Sequence, residues 1–250
     1  MKRVLVVLLV VVLLVSSSAA AVSAKSDKPG RPEKLDQVIF VHPVAPDKPG
    51  KPDNPPGKPP KKEEEPKDNT HYELWGGYLA DTASYYINPN VSLVTGGDPI
   101  AAVEAAAEAW DAVTAAFDET GGLFEYVDTT EKRWYEEDFQ NTVSWVKFIP
   151  RDYIAIAVMW YDPETMIIWE VDIVFNTFHN WGIDPVKRDK AFDVRNIATH
   201  EFGHPVGLDD LYGEVYSELT MYGYSSKGET KKYSLEEGDI AGAQELYGTP

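Results

Sequence analysis

The sequence predicts a mixed α/β (α+β) domain, and three features carry that expectation: a long apolar run at helical spacing, three consecutive strand-like segments after it, and two later helix signatures. Asp98-Pro99 supplies an N-cap and a first-turn proline, after which Val103, Ala106, Trp110, Val113 and Phe117 recur at helical spacing up to Gly121-Gly122. This predicts a long packed helix. The strand candidates are Thr142–Ile149, Ile154–Tyr161 and Met166–Asn176. In the last, Ile167, Trp169, Val171, Ile173 and Phe175 alternate with the more polar Glu170, Asp172 and Asn176, as expected of a sheet with one buried face. Asp193 is placed to cap a second helix, and Ser234 with Glu237 reads as the capping box of a closing helix bearing Ile240, Ala243 and Tyr247. Helices separated by consecutive strands imply an α/β sandwich.

The second helix carries the chemistry. Its sequence, His200-Glu201-Phe202-Gly203-His204-Pro205-Val206-Gly207-Leu208-Asp209-Asp210, reads HExxHxxGxxD. On a helix, residues four apart share a face, so His200 and His204 can reach one Zn²⁺ while Glu201 lies beside the position of an activated water. Gly207 lets the chain leave the helix through a left-handed turn, and Asp210 can return a carboxylate as third ligand. Three protein ligands leave a fourth position open, the mark of a catalytic rather than a structural zinc. Asp209 is a competing carboxylate, read more simply as solvated or as a neighbour of the ligand shell. Pro205 cannot donate to the carbonyl of Glu201, which predicts a locally distorted helix end with the site intact.

Beyond the core motif, Leu219-Thr220-Met221-Tyr222-Gly223-Tyr224 supplies a methionine at the expected place after the helix. Together these segments resemble the metzincin zinc peptidases, whose extended motif is followed by a methionine-bearing turn under the metal. Tyr85-Tyr86-Ile87-Asn88-Pro89, Glu170 to Asn176 and Ser234 to Gly248 are similar to the matrixin-like members, so the resemblance spans about residues 72–248. Asp210 stands where most metzincins have histidine, as in snapalysin-like enzymes. The resemblance implies a metzincin-like zincin domain: a twisted mixed sheet, an active-site helix, a long N-terminal helix and a C-terminal helix. It further implies one catalytic Zn²⁺, Glu201 as general base, Met221 as an apolar floor, and an extended peptide substrate added to a sheet edge near Trp169–Asn176. Tyr222, Tyr224 and Asn176 are candidates for the substrate pocket. The rival reading is a secreted zinc-binding surface module without turnover, which leaves Glu201 without a role.

Composition bounds the setting. Residues 1–24 combine Lys2 and Arg3, an apolar run from Val4 to Val15 and a small-residue end, as in a secretory signal. The expected location is extracellular, or cell-surface tethered if that segment is retained, the only route to a membrane. Residues 25–68, rich in proline, lysine and glutamate, read as a disordered linker or short pro-segment in which only Leu35 to Val44 has the apolarity to dock. His42 within it could cap a latent metal but reads first as a solvent-exposed histidine. The chain has no cysteine, so neither a disulfide nor the thiolate that keeps many matrixins latent is available. Residues 69–250 then form the catalytic domain, expected to be monomeric. After Asp68 there are 32 acidic and 11 basic residues, which disfavours nucleic acid and anionic membranes as partners. Calcium is compatible with this charge, but no ordered Asp/Asn/Gly loop indicates it.

Overall fold

The computed structural model describes residues 30, 32–46, 67–89, 94–117, 121–148, 150–185 and 190–250. The signal-like segment 1–24 and most of the Pro/Lys/Glu-rich stretch lie outside the described residues.

The main sheet has the order β1-β7-β8-β6-β3-β5, with β2 attached to β8. Its strands are β1 (Asp36–Pro43), β2 (Tyr78–Leu79), β3 (Ala83–Ile87), β5 (Phe124–Thr129), β6 (Asn141–Val146), β7 (Tyr153–Tyr161) and β8 (Ile167–Asn176). β7 runs antiparallel to both β8 and β1, whereas β8, β6, β3 and β5 are mutually parallel. The expected mixed sheet is therefore present. A small parallel sheet joins β4 (Val94–Thr95), β9 (Asn180–Gly182) and β10 (Ala191–Asp193).

Alternation in β7 divides the interior. Ala155, Ala157 and Met159 face the main core with helices α1 (Pro99–Asp111) and α2 (Val194–Val206), whereas Ile156, Val158 and Trp160 enter a second cluster with Tyr135, Phe139 and Phe148. The chain between β5 and β6 covers that second face. This corrects the expected pattern of β8, whose polar residues are not solvated. Glu170 accepts the N–H groups of Asp138 and Phe139, and Asp172 accepts that of Glu136. Burial is tolerated because the covering loop supplies donors.

Helix α1 ends at Asp111, earlier than its apolar periodicity suggests. The Asp111 carboxylate accepts the N–H of Leu123 at 2.6 Å, tying the helix end to the start of β5, while Phe117 takes a left-handed φ of 53°. Val113 and Phe117 still pack on the core, but from a turn rather than a continuing helix. The closing helix α3 (Glu237–Tyr247) also starts later than Ser234 implies. Its N-cap is Glu236, whose N–H donates to Asp239, in place of the expected Ser234 and Glu237 pair. No helix of the described residues is long and apolar enough to cross a membrane.

Candidate metal and catalytic site

Helix α2 is fixed at both ends by its own sequence. Asp193 accepts the N–H of Asn196 at its start, and Gly207, at φ 118°, turns the chain out at its end while Leu208 N–H donates to Gly203 O. A Cβ at Gly207 would stand 2.8 Å from Gly77 O, so both conformation and space demand glycine. Pro205 lies inside the last turn, and the helix continues past it to Val206. Trp75 Nε1 donates to His204 O at 2.7 Å and braces that turn from outside.

The exit turn brings Asp210 back to the helix face. His200 Nε2 stands 3.2 Å and His204 Nε2 4.0 Å from Asp210 Oδ1. Each imidazole is oriented from behind, His200 Nδ1 on Thr220 O at 2.8 Å and His204 Nδ1 on Leu208 O at 3.1 Å. A neutral histidine that donates through Nδ1 carries only a lone pair on Nε2. Two lone pairs and a carboxylate oxygen thus converge, and none of the three atoms has a hydrogen-bond partner. Such a buried set of acceptors calls for a cation, and two imidazoles with one carboxylate fit a zinc ion. Donor atoms of His200, His204 and Asp210 lie within 4.8 Å of one another.

The protonation preferences agree with that fit. Burial lowers the pKa of His200, and drives that of His204 down to about 3, keeping both rings neutral. Asp210 is held below its ordinary value against the upward effect of its burial, with the Tyr212 hydroxyl among the groups that stabilise the carboxylate. Tyr212 OH donates to Asp210 Oδ2 at 2.9 Å. Asp209 instead turns its carboxylate back onto the N–H of Asp210 at 2.7 Å.

Met221 is buried against Gly203 of the helix. Asp239 of α3 accepts the N–H groups of Thr220 and Met221 at 2.8 and 3.1 Å, so the closing helix holds the methionine turn in place. Tyr222 and Tyr224 stand half-buried with rings 5.7 Å apart, and Tyr212 packs on Tyr224. Asn176, expected at the border of a pocket, is instead fully buried. It accepts the N–H groups of Phe148 and Phe178 and donates to Tyr153 O, closing the end of β8. The expected edge at Trp169–Asn176 is likewise corrected: β8 is interior because β7 folds back on it through the turn at Asp162–Met166, leaving β7 as the outermost strand contributed by residues 69–250, with β1 paired on its outer side.

Glu201 is fully buried, and burial followed by Asp210 raises its pKa well above the ordinary value. Its Oε1 lies 3.0 Å from Nδ1 of His42, which is itself fully buried rather than solvent-exposed. Two further residues escaped sequence reasoning. Ser225 Oγ stands 3.1 Å from His42 Nε2. Lys232, fully buried, donates to Tyr222 O and lies 3.3 Å from His200 Nδ1; burial lowers its pKa to about 8. Lys232 sits outside any motif, and only the adjacent Lys231-Lys232 pair marks it in the sequence.

Known proteins share short stretches of similar sequence with this chain. The 72 kDa type IV collagenase of Gallus gallus is 36% identical over 67 residues, 27% of this chain and 9% of the collagenase. Stromelysin-1 of Mus musculus is 40% identical over 55 residues, covering 22% of this chain and 11% of that protein. Metalloendoproteinase 4-MMP of Arabidopsis thaliana is 35% identical over 71 residues, 28% of this chain and 20% of its own length. The chain therefore aligns with only about a tenth to a fifth of these relatives. The matrixin family pattern, by contrast, matches residues 79–248, from β2 to the end of α3. With well over half of its length matched, the chain belongs to the matrixin family.

Proposed function

We propose that the chain is a secreted zinc endopeptidase in which His200, His204 and Asp210 hold the metal and Glu201 is the general base. The observation that carries this reading is the convergence of three buried, unpartnered acceptor atoms beside a buried carboxyl group. When bound, zinc supplies Lewis acidity that polarises the scissile carbonyl and acidifies the attacking water. Glu201 takes a proton from that water as the new C–O bond forms, then delivers it to the amine nitrogen as the C–N bond breaks. Tyr222 and Tyr224 form the aromatic wall of the cleft, and an extended peptide pairs with the outer strand β7. Residues 1–24 direct export and are removed, and residues 69–250 are the catalytic domain.

The test is zinc content and casein hydrolysis by the full-length chain and by its His42→Ala variant, each with and without Glu201→Gln. The glutamine chains should keep one zinc equivalent while turnover falls by about 10²–10⁴-fold. Chelator-insensitive hydrolysis, or undiminished hydrolysis by the glutamine chains, would sink the assignment.

A further inference from the structure

The outer strand β7 already carries an extended peptide, and it belongs to the chain itself. β1 pairs antiparallel with β7 from Asp36↔Tyr161 to His42↔Ala155, with a register shift between His42 and Pro43. Beyond the shift, Val44 N donates to Asp152 O, and Ala45 N donates to Ser225 O on the loop that follows the Met221 turn. Residues 36–45 are thus gripped on one side by β7 and at their end by the loop bearing Tyr222 and Tyr224. An added strand is held by main-chain bonds along an edge, with alternate side chains entering pockets.

The alternate side chains of β1 enter the site. Phe40 stacks on His204, with ring centroids 4.1 Å apart at 15°, and also meets Trp75. His42, two residues on, lies 3.9 Å from the His200 ring and engages Oε1 of Glu201, with Ser225 behind it. Donor atoms of His42, His200 and Glu201 fall within 4.8 Å of one another, so His42 stands where water and substrate would have to meet the base. On the opposite face of β1, Ile39 stays 41% exposed, unlike a core strand.

We propose that residues 35–44 are a built-in occupant of the peptide-binding edge, with His42 closing the catalytic centre in a chain that has no cysteine to do so. The protein is latent until this segment is displaced or cut away. The inference rests on the peptidase reading for its consequence, latency, but the occupancy of β7 can be measured separately.

The experiment uses the full-length chain with a specific-protease recognition sequence inserted between Gly57 and Lys58, outside the described residues. Before cutting, casein hydrolysis should be at least tenfold slower than after cutting and gel filtration, and the His42→Ala chain should be at least tenfold faster than wild type without cutting. Phe40→Ala, which removes the ring contacts with His204 and Trp75 but keeps His42, should give a smaller rise and serves if the His42 variant folds poorly. A fluorescent peptide of residues 33–46 should bind the cut, segment-free protein, and the same peptide carrying His42→Ala should bind at least tenfold more weakly. Peptide binding without hydrolysis by either form would uphold the occupied edge and overturn the peptidase reading. A segment whose removal abolishes the near-ultraviolet circular dichroism, or equal hydrolysis before and after its removal, would overturn the proposal.

Discussion

Gly203 faces Met221 so closely that a Cβ on the glycine would stand 2.2 Å from the methionine sulfur. The two xx positions of HExxH are therefore not free: the one before His204 must lack a side chain for the methionine turn to reach the underside of the helix. Trp110 adds to the crowding at 2.9 Å. Gly203→Ala would gain about 1 kcal/mol of helix propensity in an open setting. Here overpacking should dominate, for a net loss of about 1–3 kcal/mol in urea unfolding. Met221→Ala in the same chain should recover part of that loss. A double-mutant cycle with no coupling between the two positions would mean that the methionine turn is not what excludes a side chain.

The two adjacent aspartates have different jobs in this geometry. Asp210 Oδ1 faces both imidazoles, whereas Asp209 caps the backbone of its neighbour. Asp210→Ala should lower zinc affinity by more than about 100-fold, beyond what removing an outer partner typically does. Tyr212→Phe, which removes only the hydroxyl that orients Asp210, should lower it by about 10–100-fold. Asp209→Ala should have the smallest effect of the three. Competition against a zinc chelator gives the ranking, and an Asp209 variant as weak as the Asp210 variant would contradict the exit turn described above.

Much of this site is legible in the sequence because it is local. His200, Glu201, His204, Gly207 and Asp210 fall within eleven residues, and helix geometry with one left-handed turn brings them together. Met221 is legible through its spacing and family resemblance. What stays hidden is held by long-range contacts: His42 reaches Glu201 across 159 positions and Lys232 reaches His200 across 32. A histidine beside a proline in a linker-like stretch looks solvated until β7 proves to offer it an edge. The same limit explains the fold-level corrections. Alternation in Met166–Asn176 reports that the strand is pleated, but not that a loop more than thirty positions upstream buries its polar face.

That buried polar face makes stability depend on pH. Asp172 is nearly fully buried, its Oδ1 has no partner, and burial, reinforced by Glu170 and Asp138, raises its pKa to about 8 against the ordinary 3.8. A carboxyl whose pKa is raised on folding favours the protonated native state, so its contribution is present below about pH 4 and is lost as pH rises through about 8. Unfolding free energy should therefore fall across that window in the wild type. Asp172→Asn, which keeps the shape and cannot ionise, should flatten the decline and be the more stable protein near pH 8. Urea unfolding at pH 5 and pH 8 for both chains decides it; parallel pH profiles would show that Asp172 does not titrate between them.

Pro205 offers the sharpest test of how Asp210 is delivered. One possibility is that proline sets the turn, in which case restoring a backbone N–H would lengthen the helix and carry the carboxylate away. The structure argues otherwise: α2 already runs through Pro205 to Val206, and the turn is made by Gly207 at φ 118° with the Leu208 N–H on Gly203 O. Trp75 Nε1 fixes His204 O independently of residue 205. Pro205→Val should thus leave zinc affinity close to wild type and either leave stability unchanged or raise it, by at most about 3 kcal/mol, since a helical N–H becomes available to the carbonyl of Glu201. A valine chain that folds with an unaltered circular dichroism spectrum but binds zinc tenfold more weakly would return the turn to proline.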